Sequence, residues 1–228
     1  MNHYLYLLIN LGTILIPFVF SFHPKLRFWD DSKPFFKANL LVALGFILWD
    51  VYFTNIGVWG FNADYLMGYK IWNLPIEEVL FFICIPYACV FSYHCFGVLF
   101  RIENKPYTRW ISVGLIVFSL VLSVVYINRL YTLCTFLLLA LFLTYLQVKK
   151  TKWLQQYYTT YFVMLLPFFV VNGLLTGFSL EAPVVWYNPA EMINIRILAI
   201  PFEDAFYGFL LIGLNIFFFE KFRATNTH

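Results

Sequence analysis

Long apolar runs parted by brief polar interruptions occupy almost the whole chain, at positions 4–22, 38–54, 75–100, 110–127, 130–148, 157–175 and 201–222. Each approaches or exceeds the roughly 20 residues that an α-helix needs to cross a hydrocarbon core. The pattern therefore predicts seven transmembrane helices. The fourth and fifth runs are separated only by Asn128 and Arg129, so the count depends on a tight turn at that point.

Composition agrees with the pattern. With 62% hydrophobic residues, 22% aromatics, 12% charged residues and a mean hydropathy of +0.76, the chain falls outside the soluble globular class. The fold class expected is all-α, a polytopic membrane protein. Seven crossings place 12 of the 15 Lys and Arg residues on one side, in the stretch from Lys25 to Lys37, the loop from Arg101 to Arg109, the run Lys149 to Lys152, and Lys221 and Arg223. The other side receives Lys70, Arg129 and Arg196. Since positive loops stay cytoplasmic, the N-terminus is expected outside and the C-terminus in the cytoplasm. Residues 1–22 lack a basic n-region and a small-residue cleavage site, so they read as a retained span. The net charge of +3 follows from this bias, suits anionic headgroups and gives no argument for nucleic acid. Cys84, Cys89, Cys95 and Cys134 all fall inside spans and form no metal-ligand spacing, so they read as packing residues.

Sliding the sequence by 126 positions reveals a duplication. Phe61 then meets Tyr187, Asn62 meets Asn188, Lys70 meets Arg196, Pro75 meets Pro201, Glu77 meets Glu203, Glu78 meets Asp204 and Phe81 meets Tyr207. Helix two matches helix six better at 122, where Asp50 meets Asn172. Helices one to three thus correspond to helices five to seven, with helix four as the joint. Residues 1–108 form the first three-helix repeat, 109–128 the linking helix and 129–228 the second repeat. Four crossings precede the second copy, which makes this a parallel tandem repeat about an axis along the membrane normal. The aromatic connections 55–74 and 176–200 read as outer caps folded onto the bundle or anchored at the interface.

The candidate chemistry lies in Pro75-Ile76-Glu77-Glu78 and Pro201-Phe202-Glu203-Asp204. Carboxylates beside hydrocarbon are costly and call for a reason. Proline is tolerated at the first helical position, so the acids are expected in the first turns of helices three and seven. Apolar surroundings there favour the protonated acid, while the positive helix end and a nearby cation, Lys70 or Arg196, favour the carboxylate. An acid kept protonated beside hydrocarbon can serve as a general acid. At i to i+4, Glu77 is expected over Phe81 and Glu203 over Tyr207, while Asp204 lies over Gly208. These rings, with Trp49, Tyr52 and Phe53 of helix two, suit a passing cation. Asp50 and Asn172 are placed to reach the same space, and Asn62 and Asn188 either support it or hold turns. His94 and Asn215 read as packing or interhelical partners. The simpler alternative is that the acids only cap their helices and pair with Lys70 and Arg196. A doublet repeated in both copies exceeds what a cap requires.

At these motifs, together with Asn172-Gly173-Leu174-Leu175-Thr176-Gly177, the chain resembles the membrane lycopene cyclases of the heterodimer type. In that family two small three-helix polypeptides or one fused chain act together. The resemblance covers nearly the whole chain, although Phe202 and Asp204 stand where the first half has Ile76 and Glu78. It implies lycopene β-cyclisation: protonation of a terminal alkene, ring closure on the tertiary cation and loss of a proton. It also implies an isomerase without a cofactor, a lipophilic carotenoid substrate reached from membrane lipid, and a prokaryotic plasma membrane as the setting. Contacts with other carotenoid-pathway enzymes stay open. The chain carries no GxGxxG fingerprint and no metal-ligand cluster. The readings weighed against a β-cyclase are a proton-coupled transporter, an end-group hydratase and a cyclase forming another ring isomer. A retinal-binding protein would need a lysine within helix seven, and Lys221 stands at its end.

Overall fold

The computed structural model describes residues 3–100 and 102–225. Arg101, counted above among the basic loop residues, lies outside the described residues. Among the described residues the framework consists of seven α-helices: α1 (Leu5–Phe20), α2 (Ser32–Asn55), α3 (Ile76–Phe100), α4 (Pro106–Val125), α5 (Leu130–Val148), α6 (Leu154–Leu175) and α7 (Phe202–Thr225). Six of them, α2 to α7, are long and apolar enough to cross a membrane. The 16 residues of α1 reach only roughly 24 Å at about 1.5 Å per residue. Apolar side chains ring the outside of the bundle, Ile16 at 66%, Trp110 at 74% and Phe162 at 76% exposure, as suits a surface solvated by hydrocarbon.

Contacts between helix ends set their directions. Tyr6 of α1 meets Glu78 of α3, Tyr131 of α5 meets Asp204 of α7, and Asn172 near the end of α6 meets the same Asp204. The starts of α1, α3, α5 and α7 therefore gather with the ends of α2 and α6. At the opposite end Tyr93 of α3 bonds Glu220 of α7 at 3.0 Å, and Asp31 pairs with Arg223 at 3.1 Å. His94 bonds the Leu26 carbonyl at 2.7 Å in that same region, the packing role its position suggested. The break at Asn128 and Arg129 is a real turn. Its Arg129 guanidinium donates to the carbonyls of Pro189 and Ala190 at 2.8 and 2.7 Å, tying the start of α5 to the second cap.

The two connections fold over the acidic end. Short strands β1 (Trp59–Phe61) and β4 (Val185–Tyr187) pair antiparallel, Trp59 with Tyr187, Gly60 with Trp186 and Phe61 with Val185. The hairpin of β2 (Lys70–Ile71) and β3 (Leu74–Pro75) precedes α3, and that of β5 (Arg196–Ile197) and β6 (Ile200–Pro201) precedes α7. The prolines close these strands immediately before the helices begin. Periodicity over so few residues carries no strand signal, and the sequence reading lacked these strands for that reason.

Backbone detail repeats at 126 positions. Gly68 and Asn194 both take positive φ, at 90° and 65°, as do Trp72 and Leu198, at 56° and 58°. Ile76 bonds Tyr69 and Phe202 bonds Ile195, each at 2.9 Å. The ends of α2 and α6 match at a different spacing. Both close on a left-handed glycine, Gly57 and Gly177, followed by a bond from Val58 to Phe53 and from Phe178 to Gly173. These glycines lie 120 positions apart rather than 122, so Asp50 and Asn172 are not strict structural counterparts.

Candidate active site

Beneath the cap sheet lies a cavity of about 670 Å³. Its upper wall brings together Asp50, Glu78 and Asp204 with Tyr6, Trp59, Phe61, Phe81, Tyr131, Asn172, Tyr187 and Tyr207. Its lower wall is mostly apolar, formed by Ile85, Ala88 and Cys89 on α3, Met164 and Phe168 on α6, and Gly208, Leu211 and Ile212 on α7, with Thr13, Ser92 and Tyr161 as its polar members. A volume of this size suits a small lipophilic ligand.

The fold divides each acidic doublet. Adjacent residues on a helix point about 100° apart, so two neighbouring acids in a first turn cannot face one space equally. Glu77 and Glu203 are fully buried away from the cavity. Each turns its Oε1 back on the preceding cap and accepts a backbone N–H at 2.7 Å, from Met67 and from Ile193. Thr132 also donates to Glu203 at 2.6 Å, and Asn10 donates to the Glu77 carbonyl at 2.8 Å. Glu78 and Asp204 line the cavity instead. The rings of Phe81 and Tyr207 accompany these second acids at i+3, not the first ones at i+4.

The three acids on the cavity differ in their partners. Among the described residues, Glu78 accepts one hydrogen bond, from the Tyr6 hydroxyl at 2.6 Å. Asp204 accepts three, from Tyr131 at 2.7 Å, Asn172 at 2.9 Å and Tyr187 at 3.0 Å. Burial, and then the carboxylate of Asp204, hold the Tyr187 phenol well above its usual range, so it remains a donor. Asp50 accepts from the Trp59 indole N–H and from Thr54 at 3.3 Å through Oδ1, while its buried Oδ2 has no hydrogen-bond partner. Buried unpartnered polar atoms are rare and call for an explanation, and among the described residues Glu77 Oε2 and Glu203 Oε2 share this state away from the cavity.

The expected ion pairs do not form. Lys70 and Arg196 sit on the exposed strands β2 and β5. Among the described residues, no cation pairs with Glu77, Glu78, Glu203 or Asp204. Arg196 bonds the Ala199 carbonyl at 2.7 Å and lies 5.9 Å from the centre of the Tyr187 ring, closing its own hairpin. The hairpin twist carries these positions outward, where a cation keeps its hydration.

Residues 3–96 and 128–222 match the family model for lycopene cyclase, which leaves out the end of α3, the connection to α4, α4 itself and the chain ends. The chain belongs to the lycopene cyclase family. Among curated proteins it is 28% identical over 97 residues to a bifunctional lycopene cyclase/phytoene synthase of Arthroderma gypseum, covering 39% of this chain and 16% of that protein. The chain thus spans only a small part of the length of that relative. No solved structure matches it.

The other sequence candidates of this lycopene cyclase family member take the following places. Asn172 reaches Asp204 directly. Asn62 and Asn188 instead hold turns, each accepting a backbone N–H through its side chain, from Asp64 at 3.1 Å and from Ala190 at 3.0 Å. Trp49 stands behind the cavity, its ring 5.2 Å from that of Tyr207. Asn215 bonds Asn39 of α2 at 3.1 Å, as an interhelical partner should. The sequence reading missed Tyr6, Tyr131, Tyr187 as a ligand of Asp204, and Trp59 as the donor to Asp50. Their one signal was a polar-tipped ring at the mouth of an apolar run, which reads equally well as an interfacial anchor.

Proposed function

We propose that the protein is a lycopene β-cyclase that closes ψ-ends of lycopene to β-rings by acid/base chemistry without a cofactor, an intramolecular lyase in the isomerase class. The observation that carries this reading is the convergence of Asp50, Glu78 and Asp204 on one aromatic-lined cavity within an apolar bundle. Glu78, held by a single donor, delivers its proton to the terminal alkene and creates a tertiary cation. A neighbouring double bond attacks that cation and closes the ring. Asp204, saturated with hydrogen bonds, faces the positive charge together with Tyr207, Phe81 and Trp59, whose rings contribute roughly 0.5 to 2 kcal/mol each to a desolvated cation. Asp50 takes the proton that the ring loses through its unpartnered Oδ2 and returns it across the shared cavity to Glu78, so the acid is restored, protons balance and no electrons are exchanged. The apolar lower wall keeps out water that would trap the cation as an alcohol, which disfavours a hydratase.

In this reading α1 completes seven spans with the N-terminus outside, in a prokaryotic plasma membrane. Residues 1–108 and 129–228 are the two repeats and 109–128 the link. The register of β1 and β4 supports the parallel arrangement, because Gly60 pairs with Trp186, its own counterpart at 126 positions, as a two-fold axis along the membrane normal requires. A proton-coupled transporter would need ionisable groups continuing down the cavity, whereas its three acids, Asp50, Glu78 and Asp204, stay at one end. The test is expression in lycopene-accumulating cells with chromatography of the pigments. Conversion to γ-carotene and β-carotene supports the assignment, and unchanged lycopene with normal protein accumulation refutes it.

A further inference from the structure

A duplicated bundle has two equivalent spaces, one below each acid-bearing helix start, and this chain leaves one of them open. The cavity runs down α3 past Ala88, Cys89 and Ser92 and down α7 past Gly208 and Ile212. At the 126-position spacing that both hairpins and the Glu77 and Glu203 contacts obey, the counterparts are Leu214, Asn215, Phe218, Phe82 and Pro86. Ala88, Cys89, Ser92 and Gly208 on the cavity side thus correspond to the larger or hydrogen-bonded Leu214, Asn215, Phe218 and Phe82, while Ile212 and Pro86 do not follow this trend. Phe82 and Asn215 are buried, at 1% and 0% exposure. Asn39 locks both, donating to the Phe82 carbonyl at 2.9 Å and to Asn215 at 3.1 Å. Phe46 fills the remaining room, its ring 6.1 Å from Phe82 and 5.2 Å from Tyr207.

The open space also has a mouth. Gly12 and Ile16 of α1 line the cavity and are exposed on the outside of the bundle. A Cβ added at Gly12 would meet no atom within 4 Å. Pro167, Phe168 and Val171 of α6 form the facing rim. Among the described residues, no hydrogen bond joins α1 to α6, whereas α1 is tied to α3 through Tyr6 and Asn10.

We propose that the chain has a single polyene site, entered from the bilayer between α1 and α6, with Ala88, Ser92 and Gly208 setting its bore. The two ends of one lycopene are then cyclised in separate visits, with the monocyclic product released in between. This rests on the cyclase reading above. The test reconstitutes the full chain in vesicles loaded with lycopene and compares wild type with Ala88→Leu, Ser92→Phe and Gly12→Leu, and with Leu214→Ala on the filled side. Polyene bound per chain and cyclic products over time are both measured. The expected results are one bound polyene per wild-type chain and monocyclic carotene appearing before bicyclic. The narrowing variants should lose roughly 10- to 200-fold in turnover, as a pocket altered by a few methylenes does, and should bind correspondingly less polyene. Leu214→Ala should keep both. Gly12→Leu places its Cβ in open space, and protein level and thermal stability equal to wild type separate its loss of turnover from a folding defect. Two polyenes per chain, bicyclic product without a free monocyclic stage, or loss in Leu214→Ala with none in Ala88→Leu and Gly12→Leu would overturn the proposal. Binding of one polyene, weakened in the narrowing variants, with no cyclised product in wild type refutes the cyclase reading and leaves the single site standing.

Discussion

Tyr6 donates its hydroxyl proton to Glu78 at 2.6 Å, joining the first turn of α1 to the first turn of α3. Both groups line the cavity, so the bond fixes the carboxyl where a substrate alkene would lie. Glu78→Gln keeps the shape and removes the transferable proton. It is expected to lower lycopene turnover by about 10²- to 10⁴-fold, the usual contribution of general acid/base catalysis. Tyr6→Phe should cost less, since the acid stays but loses its orienting donor, a change of about 1 to 3 kcal/mol. Initial rates in membranes normalised to protein level check both, and a fully active Glu78→Gln would exclude Glu78 as the proton donor.

Glu77 and Glu203 should behave differently from their neighbours. Each is sealed away from the cavity and holds a cap residue through a backbone N–H at 2.7 Å. An amide oxygen can still accept that bond, so Glu77→Gln and Glu203→Gln are expected to stay within about tenfold of wild-type turnover, short of the loss that follows removal of a catalytic acid. Alanine at either position leaves a buried N–H unsatisfied and should lower thermal stability by about 1 to 3 kcal/mol. Amide variants at these positions as inactive as Glu78→Gln would return them to the catalytic set.

Asp204 is bound by groups from α5, α6 and β4, all of the second half, while Asp50 and Glu78 belong to the first. Neither half alone holds the three acids. Co-expressed fragments divided between α3 and α4, before Pro106, should therefore restore cyclisation, with each fragment inactive by itself. Pigment analysis of the three strains decides this, and full activity from one fragment would refute the shared site.

The gathering of the starts of α1, α3, α5 and α7 at one end, with the 12 to 3 charge split, leads to an external N-terminus and a cytoplasmic C-terminus. Reporter fusions at each terminus test this orientation. Termini on the same side would remove α1 as a span and with it the parallel repeat.

The helices were readable from sequence because hydrocarbon demands long uninterrupted apolar stretches, and α5 begins and ends where its run does. The acidic helix starts were readable because a proline followed by a carboxylate doublet stands out in such a background. Which acid of each pair meets the cavity was not, since one helical step decides it and the deciding contacts, Tyr6 to Glu78 and Tyr131 to Asp204, span 72 and 73 positions. Lys70 and Arg196 misled for a related reason. Proximity in sequence suggested ion pairs, but two-residue strands turn both side chains outward. The equivalence of Asp50 with Asn172 rested on residue likeness, whereas the glycine caps set a different spacing.

The central pair of the cap sheet sets a glycine against a tryptophan. A Cβ at Gly60 would run into the indole of Trp186, so the large ring depends on the bare backbone opposite it. Two first halves brought together about the same axis would set glycine against glycine and leave a gap over the acids. Two second halves would drive indole against indole. The close fit at this rung therefore needs two unlike residues, one from each half, facing each other across the sheet.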